Sequence, residues 1–493
     1  GAQVGGGGGA ERSEKWGPTE FSLGFLPAWD VDLALPDAVR VGEMSVFRGS
    51  ISEYPGVIVD HFVPANCERG RFFFLSHCHR DHMTGLGSPN IVAALQKWKT
   101  NLLCSEVTQS LLLKDPEFTG LAPYLRALPM EEPIVMSLEA SGAHEKLSFT
   151  VTLLPAGHCP GSSMFFFQGN HGNVLYTGDF RLTLEETKRL RPLHCGGSLL
   201  EISTLYVDTT FCHPIATEIP SRDTSRDIIL KLVERWLAKD PTNVVHLQCA
   251  FFGYEHIFMG IHKKFKTKIH IAPWKMNAYR EISAVTDCLT TNGDSTNIHT
   301  CTYKKGQNEK KEKSGLPCGS CQRNGAPPNV LRIKPSTQWF LFNKKSTTHP
   351  CVFLQQSNKF RVIHSMHASF RELRDFITYV RPRRIVPCVI PFGDASLSDV
   401  CARLKGLLPQ TEVGSGCVES EEQRKRLKRS HSQKSRMKML LWLLRAARIA
   451  GRRVTSPSTS SQAQGSPRRQ WKQRRQFSHT LRATALVSLY RHC

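Results

Sequence analysis

The sequence predicts an α/β fold, and three observations predict it. Short runs of β-type residues recur, each closed by a polar or glycine-containing loop. Stretches with helical spacing separate them. With 40% hydrophobic against 22% charged residues, the chain also has enough apolar material for a sizeable core, and 493 residues allow about two or three domains.

The elements follow in order. Residues 1–43 open with Gly5–Gly9, lack a periodic pattern and are expected to form a flexible N-terminal extension; Met44-Ser45-Val46-Phe47 reads as a natural start. Strands are predicted at 71–76, 147–154, 163–167, 174–177 and 204–207. Helices are predicted at 91–98 and 107–113. A third, over 225–238, follows Pro220-Ser221-Arg222-Asp223 and has apolar residues at 228, 229, 232, 233, 236 and 237. Residues 292–329, rich in Lys, Asn and Gly, are expected to be a loop-rich insertion, with order resuming over 330–342 and continuing to about 393. Residues 401–493 are expected to be a basic, disordered tail of low complexity beyond Gly414. Within it, 437–450 has the spacing of a basic amphipathic helix. There is no internal repeat.

The formal charge of +23 suggests an acidic partner, and nucleic acid is the usual one. Its distribution matters: residues 417–493 hold 19 Lys/Arg against 3 Asp/Glu, a net +16, leaving +7 for the 416 residues before them. The excess is a tail property. Arg424-Lys425-Arg426-Leu427-Lys428-Arg429 reads as a nuclear-import or nucleic-acid patch, or as a solvated charge run. Sixteen cysteines in a chain of this length are not the dense spacing of a secreted disulfide scaffold. No apolar leader with a cleavage site is visible, and no run approaches 18 apolar residues, so no membrane partner is expected. The expectation is an intracellular protein with reduced thiols, some free to bind metal.

The chemistry concentrates in Phe72-Phe73-Phe74-Leu75-Ser76-His77-Cys78-His79-Arg80-Asp81-His82, where an apolar strand ends in three imidazoles and a carboxylate within six residues. Imidazole and carboxylate suit zinc and similar divalent ions. A lone histidine is usually an ordinary polar residue; H-x-H-x-D-H at a strand end is not. Later strand ends repeat the arrangement: Val151-Thr152-Leu153-Leu154 leads to Gly157-His158-Cys159, Val174-Leu175-Tyr176-Thr177 to Gly178-Asp179-Phe180, and Leu205-Tyr206-Val207 to Asp208. Alone, an Asp after a strand is usually a turn or cap.

In this order the segments resemble the metallo-β-lactamase family, whose fold is an αββα sandwich with metals at one edge. Tyr206-Val207-Asp208-Thr209-Thr210-Phe211-Cys212, Ile333-Lys334-Pro335-Ser336-Thr337-Gln338-Trp339-Phe340 and His367-Ala368-Ser369-Phe370-Arg371-Glu372-Leu373 resemble the β-CASP insertion of its nucleic-acid-processing branch. The resemblance covers roughly residues 44–395. It implies a sandwich domain beginning over 44–198, an inserted β-CASP domain over 199–350, and a return to the sandwich over 351–400. By the same resemblance His77, His79 and His158 hold one zinc, Asp81 and His82 a second ion (zinc, or alternatively magnesium), and Asp179 bridges both. Asp81 also orients the attacking water, Asp208 supports the metal-site histidines, and His367 reaches the scissile phosphate. Ser336, Thr337 and Ser365 fall where relatives contact a substrate phosphate; a cap or turn role is their alternative. His270, His299, Cys301 and Cys318 match a structural His₂Cys₂ zinc site, with Cys321 a competing ligand and buried thiols plus a surface histidine the alternative.

The implied activity is a zinc-dependent DNA nuclease acting at hairpins, overhangs and single-strand/double-strand junctions. Implied with it are roles in double-strand break repair by end joining and V(D)J recombination, nuclear localisation, a monomeric state, and the DNA-dependent protein kinase and end-joining factors as partners. Relatives carry a phosphate-binding Lys just before Gly253-Tyr254-Glu255, where this chain reads Gln248-Cys249-Ala250-Phe251-Phe252. That departure disfavours a strong terminal 5′-phosphate pocket and points to an endonuclease. Phe392 stands where DNA-type members have Val and RNA-type members His, which favours DNA. The basic tail replaces an expected acidic regulatory region. The alternatives are a 5′ exonuclease on crosslinked or telomeric DNA, a β-CASP RNA endonuclease, and a catalytically dead DNA-binding scaffold, which the full ligand set argues against.

Overall fold

Phe72–Phe74 is an interior strand paired in parallel with Val57–Val59 on one side and Leu102–Ser105 on the other, and all three of its rings are buried. Leu125–Leu128 completes this four-stranded parallel sheet. A strand covered on both faces needs a continuous apolar run, and Phe-Phe-Phe supplies one. This is a computed structural model that describes residues 44–138, 147–249, 252–302, 315–322, 326–342, 352–356, 358–391 and 396–407. The chain divides into units 1–418 and 419–493, and every described residue lies in the first. The 1–43 extension, the Arg424-to-Arg429 patch, the 437–450 helix, Ala250, Phe251 and Phe392 lie outside the described residues.

A second, six-stranded sheet has the order Arg384–Pro387, Thr204–Val207, Val174–Tyr176, Ser163–Gly169, Leu147–Pro155, Pro133–Leu138. Thr204–Val207 runs parallel to both of its neighbours, and the other pairs are antiparallel. Side chains alternate across a strand, so Phe149, Val151, Leu153, Phe165 and Phe167 turn together toward Val57, Val59, Phe72 and Phe74 of the first sheet. Aromatic rings fill the interface, with Phe72–Phe149 and Phe74–Phe167 meeting edge to face at 5.1 and 5.3 Å between centroids. The opposite face of the first sheet (Ile58, Phe73, Leu75) packs on Ile91 and Leu95 of helix Pro89–Trp98 and on Leu111 and Leu112 of helix Glu106–Leu113. The sandwich with outer helices expected from the resemblance is the observed architecture.

A third sheet, of seven strands, is inserted between strands of the second. Its order is Leu289–Thr290, Ile269–His270, Ile298–His299, Val244–Leu247, Val330–Pro335, Lys359–Val362, Val352–Gln356, all parallel except the last pair. Helix Arg222–Leu237 begins at Ser221, whose hydroxyl accepts the Thr224 N–H, and buries Ile229, Val233 and Trp236. Those residues share one apolar cluster with Ile257, Phe258 and Ile261 of helix Glu255–Phe265 and with Met83 and Leu86 of the sandwich.

Strand pairing moves two expected boundaries, and two further expectations also change. Thr204–Val207 belongs to the sandwich because it is zipped between two sandwich strands, so the insertion starts after it rather than at 199. Val352–Gln356 and Lys359–Val362 pair with the inserted sheet, so the next sandwich strand is Arg384–Pro387, well beyond 351. The expected loop at 292–329 contains Ile298–His299, an interior strand of the inserted sheet. Helix Leu397–Lys405 buries Val400, Cys401 and Leu404, so packed structure runs past the expected start of the tail at 401. Among the described residues no helix is long and apolar enough to cross a membrane.

Phe165→Ala, at a fully buried position, is expected to lower stability by about 3–5 kcal/mol, whereas Val135→Ala on a 73% exposed side chain changes it by less than about 0.5 kcal/mol. Urea unfolding of the two variants measures both.

Candidate metal centre

The His77-to-His82 loop leaves the end of strand Phe72–Phe74, and a buried carboxylate from the neighbouring strand end holds it in place. Asp60 accepts the Ser76 backbone N–H at 2.7 Å, the Ser76 hydroxyl at 2.5 Å and the Tyr176 hydroxyl at 2.8 Å. Its Oδ2, which takes both hydroxyls, also lies 2.8 Å from His82 Nδ1. With Nδ1 engaged, His82 turns Nε2 to within 3.1 Å of Asp81 Oδ2 and 3.2 Å of Asp179 Oδ1.

The other imidazoles are aimed in the same way. His77 Nδ1 lies 2.9 Å from Ser76 Oγ, and its Nε2 is buried without a hydrogen-bond partner, 3.6 Å from Asp179 Oδ2. His79 Nε2 lies 3.3 Å from the Phe252 carbonyl, which leaves Nδ1 facing His158 Nε2 at 2.9 Å. His158 Nδ1 lies 3.0 Å from the Met366 carbonyl, and its Nε2 is 3.5 Å from Asp179 Oδ2. One ring nitrogen tied to a backbone or side-chain oxygen fixes the tautomer and orientation of a metal-binding histidine, and every ring here has such a tie. Asp179 stands between the groups, one oxygen toward His82 and the other toward His77 and His158. The site therefore fits cations: an orphaned buried nitrogen, imidazoles pre-aimed at one point, and a carboxylate between two donor clusters.

Electrostatics agree with that reading. Burial, helped by the neighbouring histidines, holds His77 and His158 well below the usual histidine range; burial also lowers His79. All three are thus neutral with a lone pair to donate. His82 goes the other way: burial opposes its charge, but Asp179 and Asp81 outweigh it and hold the pKa well above the usual value.

Asp208 and His367 form the adjoining pair. His367 Nδ1 lies 2.9 Å from Asp208 Oδ2 and 4.0 Å from Asp179 Oδ2. Asp208 Oδ1 accepts the Thr210 backbone N–H at 2.9 Å and its hydroxyl at 2.6 Å. Although burial disfavours its charge, His367 and these donors hold Asp208 below the usual carboxylate range. The residues expected at the first site thus converge, and Asp81, His82, Asp179 and His367 border one cleft of about 540 Å³.

Ser336 and Thr337 also line that cleft, beside Tyr254 and His364. Ser365 does not share their position: only 1% exposed, its hydroxyl donates to the His367 carbonyl at 2.8 Å and accepts the His367 N–H at 3.2 Å. Its one proton is spent on the turn that carries His367, the turn role expected as the alternative to a phosphate contact.

The second expected cluster also assembles. His270 and His299 are register partners on adjacent parallel strands, their Nδ1 atoms 3.0 Å apart. Ligand atoms of His270, His299, Cys301 and Cys318 all lie within 4.8 Å of one another. Cys318 Sγ approaches His299 Nδ1 at 3.7 Å, whereas Cys321 Sγ is 3.3 Å from Nε2 on the other edge of the ring, which sets Cys321 apart from the four.

Asp60 was missed by sequence reasoning, since an Asp after a short strand has no local mark of its bonds to residues 16, 22 and 116 positions away. Arg181, which follows Asp179-Phe180 in the chain, was not singled out either. Its guanidinium reaches Glu372 at 3.1 Å and the carbonyls of Ser365, Pro220 and Ile219 at 3.0, 3.0 and 3.2 Å, so it ties the site to the insertion.

Residues 283–393 match the family described as DNA repair metallo-beta-lactamase. Over 352 residues the chain is 41% identical to the protein artemis of Pongo abelii and equally to that of Homo sapiens, an overlap of 71% of this chain and 50% of each relative. It is 29% identical over 344 residues to the 5′ exonuclease Apollo of Rattus norvegicus, covering 69% of this chain and 55% of that protein. The chain spans about half the length of the curated relatives it matches.

Two outcomes follow from this geometry. Asp60→Asn should weaken divalent-metal affinity by about 10–100-fold, read by chelator competition, with the circular-dichroism spectrum retained. Because His82 holds its proton at neutral pH without a cation, metal binding should release protons there; calorimetry in buffers of different ionisation enthalpy measures the release, which His82→Ala should reduce.

Proposed function

The chain belongs to the metallo-β-lactamase/β-CASP family, and on that premise we propose that it is a metal-dependent nuclease hydrolysing DNA phosphodiester bonds. The observation that carries this reading is the convergence of His77, His79, His82, His158 and Asp179 beside His367, at a cleft that Ser336 and Thr337 also line. His77, His79 and His158 with Asp179 would hold zinc, as an imidazole-rich set suits it; Asp81, His82 and Asp179 offer more oxygen and would take zinc or magnesium. Cations held by these residues would supply a water of lowered pKa and offset negative charge on the phosphate.

The chain's own groups do the rest. Asp81 accepts a hydrogen bond from the attacking water and orients it toward phosphorus. His367, its Nδ1 held by Asp208, presents Nε2 to the scissile phosphate and donates to it. Ser336 offers its hydroxyl to the flanking phosphate, a contact that positions without reading sequence, and Thr337 stands beside it with its own hydroxyl given to the His364 carbonyl. The bond from phosphorus to the 3′ oxygen breaks, leaving a 5′-phosphate and a 3′-hydroxyl. One chain supplies every group, so a monomer suffices.

Likeness to the artemis proteins supports the finer reading: zinc dependence, cleavage at hairpins, overhangs and single-strand/double-strand junctions, nuclear localisation, and work in end joining and V(D)J recombination with the DNA-dependent protein kinase and end-joining factors. Likeness to Apollo supports a second reading as a 5′ exonuclease. The lack of a Lys in Gln248-to-Phe252 favours the first.

Purified chain with Zn²⁺, Mn²⁺ or Mg²⁺ should cut hairpin and overhang DNA in preference to matched RNA. Asp81→Ala should abolish cleavage with DNA binding retained, and His367→Ala should slow it by on the order of 10²–10⁴. Full activity in Asp81→Ala would sink the mechanism, and strict dependence on a free 5′-phosphate would favour the exonuclease.

A further inference from the structure

The loop that carries His158 also presents a thiol to the imidazole cluster. Gly157 and Gly161 have φ of +65° and +78°, conformations that favour glycine, so the chain turns sharply at both ends of Gly157-His158-Cys159-Pro160-Gly161. Inside the turn, Ser162 Oγ accepts the backbone N–H of both His158 and Cys159 at 3.1 Å. The Gly161 carbonyl accepts the Ser105 and Thr108 hydroxyls at 2.7 and 3.0 Å. A Cβ on Gly161 would stand 2.8 Å from the Thr108 nitrogen, so the loop is pressed onto helix Glu106–Leu113. The bonds that set His158 therefore set Cys159 as well.

The Cys159 Sγ and one ring nitrogen from each of His77, His79 and His158 all lie within 4.8 Å of one another. Separately from the thiol, His77 Nε2 is buried and has no hydrogen-bond partner. Three imidazoles and one thiolate make a full tetrahedral complement for a d¹⁰ cation.

We propose that Cys159 is a fourth ligand of this cluster and closes a His₃Cys site for thiophilic cations, in competition with the open arrangement completed by Asp179. The proposal rests on the metal-binding reading of the His cluster and adds a choice between two ligand sets. On binding, the sulfur–metal bond forms and the thiol proton passes to water; no oxidant is involved. Soft cations such as Cd²⁺ select the sulfur, whereas Mg²⁺ and Mn²⁺ select the Asp179 and Asp81 oxygens. A closed four-coordinate site leaves no position for water, so thiophilic cations would silence the enzyme through Cys159.

NMR of the cadmium nucleus on the whole chain loaded with Cd²⁺ tests this. The expected result is a resonance in the range of one thiolate with three imidazoles. It should shift upfield in Cys159→Ser and stay in place in Cys318→Ser, which perturbs the second cluster instead. Chelator competition should show Cd²⁺ bound at least about tenfold more weakly in Cys159→Ser. Circular dichroism checks folding, and Cys159→Ala replaces a serine variant that does not fold. A resonance of nitrogen and oxygen ligation that is unmoved in Cys159→Ser overturns the proposal and leaves the metal reading standing. If the His cluster binds no Cd²⁺ at all, both fall.

Discussion

A buried carboxylate organises the rest of this structure. Asp60 is only 4% exposed and sits at a left-handed φ of +57°, at the end of Val57–Val59. An ionised group there is tolerable only if its oxygens are saturated, and they are, by Ser76, Tyr176 and His82. Ser76 and His82 follow a strand of the first sheet, and Tyr176 lies on a strand of the second. One side chain therefore closes the edge of the sandwich and aims a histidine into the site. The requirement that a buried charge be paired becomes the requirement that the site be assembled.

The same economy extends to the insertion. His79 and His158 are oriented by the carbonyls of Phe252 and Met366, which lie 173 and 208 residues away in the chain. Arg181 spreads its guanidinium over Glu372 and over carbonyls on either side of the inserted sheet. Backbone carbonyls act as orienting groups here because each is an obligatory acceptor that a ring N–H can satisfy. The sandwich supplies the metal-directed atoms, and segments that flank the inserted sheet decide which way two of the rings face.

Ser365 and Cys159 show why residue type alone is a poor guide to role. A serine near a catalytic histidine is chemically fit to hold a phosphate, yet Ser365 is buried and its hydroxyl locks the turn that presents His367. A cysteine beside a histidine in a Gly-rich loop is unremarked in the sequence, yet that loop brings its sulfur among three imidazoles. Exposure and the partners already taken separate the two cases.

The α/β class, the helix expected over 225–238 and found at 222–237, five of the ten strands of the two sandwich sheets and the His77-to-His82 cluster were legible without a structure, because each rests on contacts between near neighbours or on a local period. Strand ends carrying His158, Asp179 and Asp208 could be recognised as a series, since strands deliver their C-terminal loops to one edge. Only the tertiary structure decided the true limits of the insertion, the membership of Ile298–His299 in a sheet, and the grip of Asp60. Each of those depends on which segments lie side by side across long stretches of chain, and strand pairing and buried-charge pairing leave no periodic trace in the order of residues.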